Sequence, residues 1–215
     1  MKIISFSLYG NDPNYNFGMV ENAQSAEFIY PGWQIYVYID KKVPADIIRK
    51  LIDLGCIIKY RDVSNHWHRF EPVFDCDVNI CIVRDADSRF TYRERVAVNE
   101  WLESDKSLHT MHDHASHLNP IMGGMWGFRG TITNDDVVSK FYKEKELSES
   151  TKYGTDEIFL RSVYNLYKND AMQHSVFKDN FTIDRVDGEF IGCQYRYKTI
   201  DDRLVRYRVS NFTKP

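Results

Sequence analysis

From Ile3 to Tyr60 the chain alternates strand-like apolar runs with helical segments, and this alternation limits the possible folds more than any other feature of the sequence. Ile3 to Leu8 reads as a buried strand, closed by the turn-forming series Gly10, Asn11, Asp12, Pro13 and Asn14. A helix is expected from about Phe17 to Ile29, stopped by Pro31 and Gly32, with a second strand from Trp33 to Ile39 that ends at Asp40. Val43 and Pro44 open a second helix, whose Ile47, Ile48, Leu51, Ile52 and Leu54 share one face, and Gly55 ends it. Cys56 to Tyr60 is the third strand. Strand, helix, strand, helix, strand at these connection lengths favours right-handed crossovers and a parallel sheet. The expectation is an α/β fold whose first half binds a nucleotide.

A fourth apolar run, Val78 to Val83, ends in Arg84, Asp85, Ala86, Asp87, Ser88 and Arg89. Residues two apart on a strand point to one side, so Asp85 and Asp87 project together while Ala86 turns away. In open α/β sheets, ligands sit beyond the carboxyl ends of the strands, and this pair stands at such an end. The bare pattern carries no weight, because 20 Asp in 215 residues give about 1.8 such pairs by chance. There are two, and the other, Asp75 and Asp77, precedes the run instead of ending it. Two carboxylates so placed suit Mg²⁺ or Mn²⁺, which take oxygen ligands and share them with substrate phosphates. The plain alternative is a solvated acidic turn paired with Arg84 or Arg89.

Beyond a further helix, Tyr92 to Glu103, with Val98, Trp101 and Leu102 on one face, the pattern turns irregular. His109, His112, Asp113, His114 and His117 are followed by Pro120 and by Met122 to Gly127, a run rich in Gly and Trp. Two more helices are expected, one over about Asp135 to Lys145 and one opening near Thr155, with Asp156 and Glu157 in its first turn where the helix dipole favours negative charge. His174 and Ser175 fall in a short turn or strand, and Phe190 to Val209 reads as strands or a packed tail. The spacing of His112, His114 and His117 also admits a zinc site, and with it a zinc-dependent hydrolase.

A single domain is expected, with residues 1–90 as the nucleotide half, 91–192 as the acceptor and sugar half, and 193–215 as a tail. A content of 43% hydrophobic residues and a formal charge of −3 fit a folded globular chain without a basic field for nucleic acid. Cys56, Cys76, Cys81 and Cys193 show no paired spacing, and no window approaches about 18 uncharged apolar residues, so a soluble cytoplasmic protein is expected. Nothing in the sequence sets the oligomeric state.

Ser7 to Gly10, Tyr30 to Trp33, Arg69-Phe70, Arg84 to Arg89, Gly123 to Gly127, Gly154 to Asp156 and His174-Ser175, in that order, resemble the small nucleotide-sugar-dependent glycosyltransferases of the GT-A fold, including those of large DNA viruses and some bacteria. The likeness runs to about Gly192. It implies one GT-A (Rossmann-like) domain with a mostly parallel mixed central sheet flanked by helices. By the same resemblance Asp85 and Asp87 match the acidic metal-binding motif, and His174 matches a downstream histidine that completes the metal shell. Tyr9 and Asn11 would face the nucleotide, Arg69 its base or phosphates, and Gly123, Gly124 and Trp126 the sugar. Asp156 takes the place of an acidic residue beside the donor sugar or acceptor, and Glu157 stands where many relatives carry Gln.

The expected reaction moves a sugar from a nucleoside diphosphate, UDP-linked, to an acceptor hydroxyl of a glycan or related molecule, with Mn²⁺ or Mg²⁺ as cofactor. Arg69 or Arg84 would add positive charge at the departing diphosphate. If configuration inverts, Asp156 is the first candidate base and Asp113 the second. A nucleotide-sugar-binding module without turnover is the remaining alternative.

Overall fold

The computed structural model describes residues 1–147, 154–201 and 203–209. Seven strands form the central sheet: β1 (Lys2–Leu8), β2 (Gln34–Ile39), β3 (Ile57–Tyr60), β4 (Ile80–Arg84), β5 (Leu108–His112), β6 (Met125–Arg129) and β7 (Ala171–Ser175), in the order β3-β2-β1-β4-β6-β5-β7. β3, β2, β1 and β4 run parallel, β6 runs antiparallel to both β4 and β5, and β7 is parallel to β5. The expected mostly parallel mixed sheet is therefore what the chain forms. The helices are α1 (Pro13–Ile29), α2 (Ala45–Asp53), α3 (Tyr92–Glu103), α4 (Asp135–Leu147) and α5 (Thr155–Tyr167), with a 3₁₀ segment over His66–Phe74.

α1 starts four residues before the expected Phe17, because the turn-forming series is its cap. Asp12 accepts from the Asn14 amide at 2.8 Å, and Pro13 occupies the first turn, where its missing N–H costs nothing. The irregular region holds two strands that the reading missed. β5 is Leu-His-Thr-Met-His and β6 is Met-Trp-Gly-Phe-Arg, and neither shows the apolar alternation of a half-exposed strand because both are buried on both faces. The Gly123 to Gly127 run is thus part loop and part central strand.

Strand alternation sends side chains into two apolar layers. Ile3, Cys81 and Val83 face the layer of Trp67, Phe70, Trp126, Phe141 and Phe159, beneath the 3₁₀ segment, α4 and α5. Ile4, Phe6 and Ile82 face the layer of Met19, Tyr30, Leu51, Val98 and Trp101, beneath α1, α2 and α3. Each fully buried aromatic contributes roughly 2 to 3 kcal/mol through apolar burial.

The C-terminal segment is a hairpin, β8 (Tyr195–Ile200) with β9 (Arg203–Arg208), folded back over the end of β4. The Tyr195 amide donates to the Asp87 carbonyl at 2.8 Å and the Tyr197 amide to Asn14 Oδ1 at 2.9 Å. The Tyr197 ring meets Phe17 edge-on at 5.5 Å, and Arg89 Nη2 donates to the Tyr197 hydroxyl at 2.7 Å. No described helix is long and apolar enough to cross a membrane.

Candidate active site

β4 ends at Arg84, and the following residues make a turn in which the Ser88 amide donates to the Asp85 carbonyl at 3.3 Å; it sets Asp85 and Asp87 beside Arg69 of the 3₁₀ segment. Arg84 and Ala86 face the other way. Asp85 and Asp87 line a cleft of about 220 Å³ together with Tyr9, Arg69, Gly123, Gly124 and Asp156. The cleft lies beyond the carboxyl ends of β1 and β4, the position where open α/β sheets bind ligands.

Arg69 is its central cation. Its amide is pinned to Ser7 Oγ at 2.9 Å, and its guanidinium bridges two carboxylates, with Nη1 on Asp85 Oδ1 and Nη2 on Asp156 Oδ2 at 2.9 Å. The residue is 9% exposed, and its Nε–H has no partner among the described residues. His66 stands three residues before Arg69, which on a 3₁₀ helix is the same face, and its buried Nε2 is also without a partner there. Burial lowers the His66 pKa, and the Arg69 charge lowers it further.

Asp87 is buried, and burial followed by the neighbouring Asp85 charge pushes its pKa up to about 7, against the opposing pull of Arg69 and Arg89. Gly123 and Gly124 are required by space: a Cβ on Gly123 would lie 2.6 Å from Arg69 Nη2, and one on Gly124 would overlap the Asp85 carboxylate. Asp156 sits in the first turn of α5, after Gly154 at φ +86°. Tyr9 lines the cleft from the loop after β1, which is tied down by a weak bond of 3.4 Å from the Gly10 amide to Asp40 Oδ1.

Five expected site residues are placed elsewhere. Arg84 is buried on the opposite face, where Nε donates to Glu94 Oε1 at 2.6 Å and Nη1 to the Trp126 carbonyl at 3.0 Å. The Trp126 ring is fully buried beside Phe70, at 5.7 Å between centroids, because β6 is a central strand. Asn11 is exposed in its turn and does not line the cleft. His174 ends in a different pocket of the sheet: Nε2 meets Glu100 Oε2 at 2.7 Å and Nδ1 meets His109 Nε2 at 2.9 Å, so both ring nitrogens are committed away from Asp85 and Asp87. Asp113 is 0% exposed and saturated by Arg93, by Arg185 and by the Ile191 amide at 3.0 Å, which leaves it no lone pair for a substrate proton.

The histidine cluster is likewise structural. His112 Nε2 donates to the Asn119 carbonyl at 2.8 Å and Nδ1 faces Gln173 Nε2 at 3.2 Å, while His117 Nδ1 accepts from the Asp113 amide at 3.1 Å. His114 bonds Ser116 and stacks on Phe190 at 4.4 Å. Among the described residues no group of three or more His, Cys, Asp or Glu is arranged to hold a metal ion, these histidines included.

Sequence reasoning missed Tyr15, His66, Met122, Met125 and Gln194, all of which line the cleft. The spacing of His66 from Arg69 was a usable signal. Gln194 had none, since it arrives only because the hairpin bridges it to Ser88.

The 3₁₀ segment that carries Arg69 is clamped by Glu71. Burial raises the Glu71 pKa, but hydrogen bonds from His68, Arg61 and Lys145 outweigh it and bring the carboxyl down to about 2. A depressed folded-state pKa contributes stability above the unfolded value near 4.5 that is lost as pH falls toward 2, on the order of 3 kcal/mol here. Glu71→Gln is expected to lower the unfolding midpoint at pH 7, and the gap from the wild type should close between about pH 4.5 and 2. Denaturant melts at stepped pH read this directly, and a gap that stays constant to pH 2 would contradict it.

The mixed sheet with helices on both faces has the GT-A fold, as its similarity to solved structures shows. No protein-family model matches the sequence, and no curated protein is detectably similar to it. Among solved structures the chain is similar to the galactosyltransferase LgtC in complex with donor and acceptor sugar analogs, at 14% identity and a TM-score of 0.51 over 80% of this chain and 73% of that one. It is similar also to glucosyl-3-phosphoglycerate synthase from Mycobacterium tuberculosis in complex with Mn²⁺, uridine diphosphate and phosphoglyceric acid, at 10% identity and a TM-score of 0.51 over 97% and 86%. A match to a mannosyltransferase from Pyrobaculum calidifontis in complex with GDP-Man and Mn²⁺ covers 65% of this chain and 46% of that one, with 11% identity and a TM-score of 0.48. The chain thus spans less than half the length of that mannosyltransferase.

Proposed function

We propose that this protein is a glycosyltransferase that moves a sugar from a nucleoside diphosphate, UDP-linked, to an acceptor hydroxyl. The observation that carries the reading is the convergence of Asp85, Asp87, Arg69 and Asp156 on one cleft at the carboxyl ends of parallel strands. The proteins with similar folds include one described with Mn²⁺ and uridine diphosphate and one with donor and acceptor sugar analogs.

The residues fit a divalent cation. Asp85 and Asp87 offer hard oxygens in one cleft, and Mg²⁺ or Mn²⁺ is bound by one or two carboxylates plus substrate phosphates. Gln194, in the same cleft, offers a side-chain carbonyl in place of His174. A bound cation supplies Lewis-acid stabilisation of the departing diphosphate. Arg69 adds a forked donor set suited to phosphate oxygens. Gly123 and Gly124 let backbone approach the sugar where any Cβ would collide with the charged cluster. Asp156, held toward the cleft by Arg69, accepts hydroxyl hydrogens of the sugar or acceptor. Tyr9, an aromatic residue of the cleft wall, is assigned to the base.

A thermal-shift screen of nucleoside diphosphates and nucleotide sugars, with and without Mn²⁺, tests this. At a ligand concentration about 100 times Kd, native-state binding adds about 2.7 kcal/mol. For a chain of this size that is a rise in midpoint of roughly 5 to 10 °C. The rise should appear for one base and require the metal. Stabilisation by none of them, with or without Mn²⁺, would contradict the reading.

A further inference from the structure

We propose that Arg69 is a built-in counter-cation, which holds Asp85 and Asp156 until a divalent metal takes its place on Asp85 and which is then released toward the donor's diphosphate. The proposal rests on the glycosyltransferase reading above. Four observations carry it. The guanidinium bridges Asp85 and Asp156, so a positive charge already occupies the carboxylate that the metal needs. The backbone of Arg69 is fixed by Ser7, and its guanidinium carbon lies 5.2 Å from the Phe70 ring centroid, so an exchange of partner needs only side-chain rotation over that ring and no movement of the segment. Arg69 lines the cleft, and its buried Nε–H has no partner among the described residues, so the guanidinium keeps donor capacity that its two carboxylates do not use. Asp85 is 41% exposed at its side chain and Asp156 10%, so the outer contact is the one solvent and ions can compete for, while the inner one stays as the hinge.

A guanidinium and a divalent ion in contact with one carboxylate repel at close range in a partly desolvated cleft, so they exchange there. Once off Asp85, Arg69 keeps Asp156 and has four N–H groups free for phosphate oxygens or other acceptors. Metal and diphosphate then assist each other through the protein as well as through their own bond, and the assistance is reciprocal. Arg69 is a positioning residue for the metal and a binding residue for the donor.

The test is a Mn²⁺ titration of nucleotide-free protein, by calorimetry or by the electron paramagnetic resonance of free Mn²⁺, for the wild type, Arg69→Met and Arg69→Lys, repeated with UDP. Removing the competitor is expected to tighten Mn²⁺ binding without nucleotide by about tenfold in Arg69→Met, within the usual range of site-to-site coupling. Arg69→Lys should tighten it by roughly a factor of a few although the charge is kept, because an ammonium has no fork to bridge both carboxylates. In both variants UDP should bind more weakly and raise Mn²⁺ affinity less than in the wild type. Unchanged or weaker nucleotide-free Mn²⁺ binding in the variants would overturn the proposal and leave the glycosyltransferase reading standing. A wild type that holds no Mn²⁺ even with UDP would instead overturn that reading, and this proposal with it. The wild type gives an independent check should the variants unfold: the Arg69 Nε–H nuclear magnetic resonance should move on adding Mg²⁺, and a stationary signal at saturating Mg²⁺ would also overturn the exchange.

Discussion

Asp85→Asn and Asp87→Asn are each expected to abolish Mn²⁺-dependent turnover of nucleotide sugar while the fold persists. The two carboxylates stand at the end of a central parallel strand whose packing they do not supply, since Cys81, Ile82 and Val83 fill the layers on either side. Losing one unit charge about 4 Å from a bound cation removes on the order of 4 kcal/mol at an effective dielectric near 20. At about 1.4 kcal/mol per decade that is nearly a thousandfold in rate if the interaction is expressed in the transition state. Asp87→Asn should also leave the metal-free protein at least as stable as the wild type near pH 7, because burial already disfavours the Asp87 charge. Turnover at saturating Mn²⁺, together with thermal midpoints, separates the two effects. Full activity in either variant would remove the metal assignment.

Asp113→Asn is expected to do the reverse: it destabilises the fold by about 3 to 5 kcal/mol, the usual cost of breaking one side of a buried ion pair. Asp113 is fully buried, and it joins Arg93 of α3, Arg185 and the Ile191 amide of the segment leading to the C-terminal hairpin. The amide variant keeps the shape and leaves two guanidiniums facing a neutral group. Its loss of activity should therefore follow unfolding, with a lowered denaturation midpoint, and the kcat of the remaining folded protein should stay near the wild-type value. A variant as stable as the wild type with a collapsed kcat would restore Asp113 as a catalytic base.

The difference between these two aspartates shows which parts of the site can be read from sequence. Asp85 and Asp87 are legible because the end of an apolar run is a local property; the strand alternation expected to aim them stops at Arg84, and a turn brings both to the cleft instead. Asp113 looks equivalent in sequence, yet its role is fixed by Arg93 and Arg185, 20 and 72 residues away, which no local pattern connects to it. The same holds for His174. Its partner Glu100 lies 74 residues away on α3, and only the parallel pairing of β5 with β7 brings them together. Arg84 could have been excluded by the parity argument that selected Asp85, since neighbours on a strand face opposite layers. The first four strands were legible as short apolar runs and α2 by its apolar face, whereas α1, which buries Asn16, Gly18 and Asn22, was legible mainly by the turn residues that flank it. β5 and β6 were hidden by their histidines and glycine, whose polar groups and lack of a side chain are accommodated only inside the finished sheet. The cleft's far wall, with Gln194, exists only after the chain's last hairpin has folded over its fourth strand.

The most direct test of the central claim is a calorimetric titration of UDP into the wild-type protein, once with Mn²⁺ and once with a chelator. The account predicts saturable binding that weakens at least about tenfold when the metal is removed, a difference of about 1.4 kcal/mol, and that loses this metal dependence in Asp85→Asn. Equal affinity with and without Mn²⁺, or a metal dependence that persists in Asp85→Asn, would contradict it.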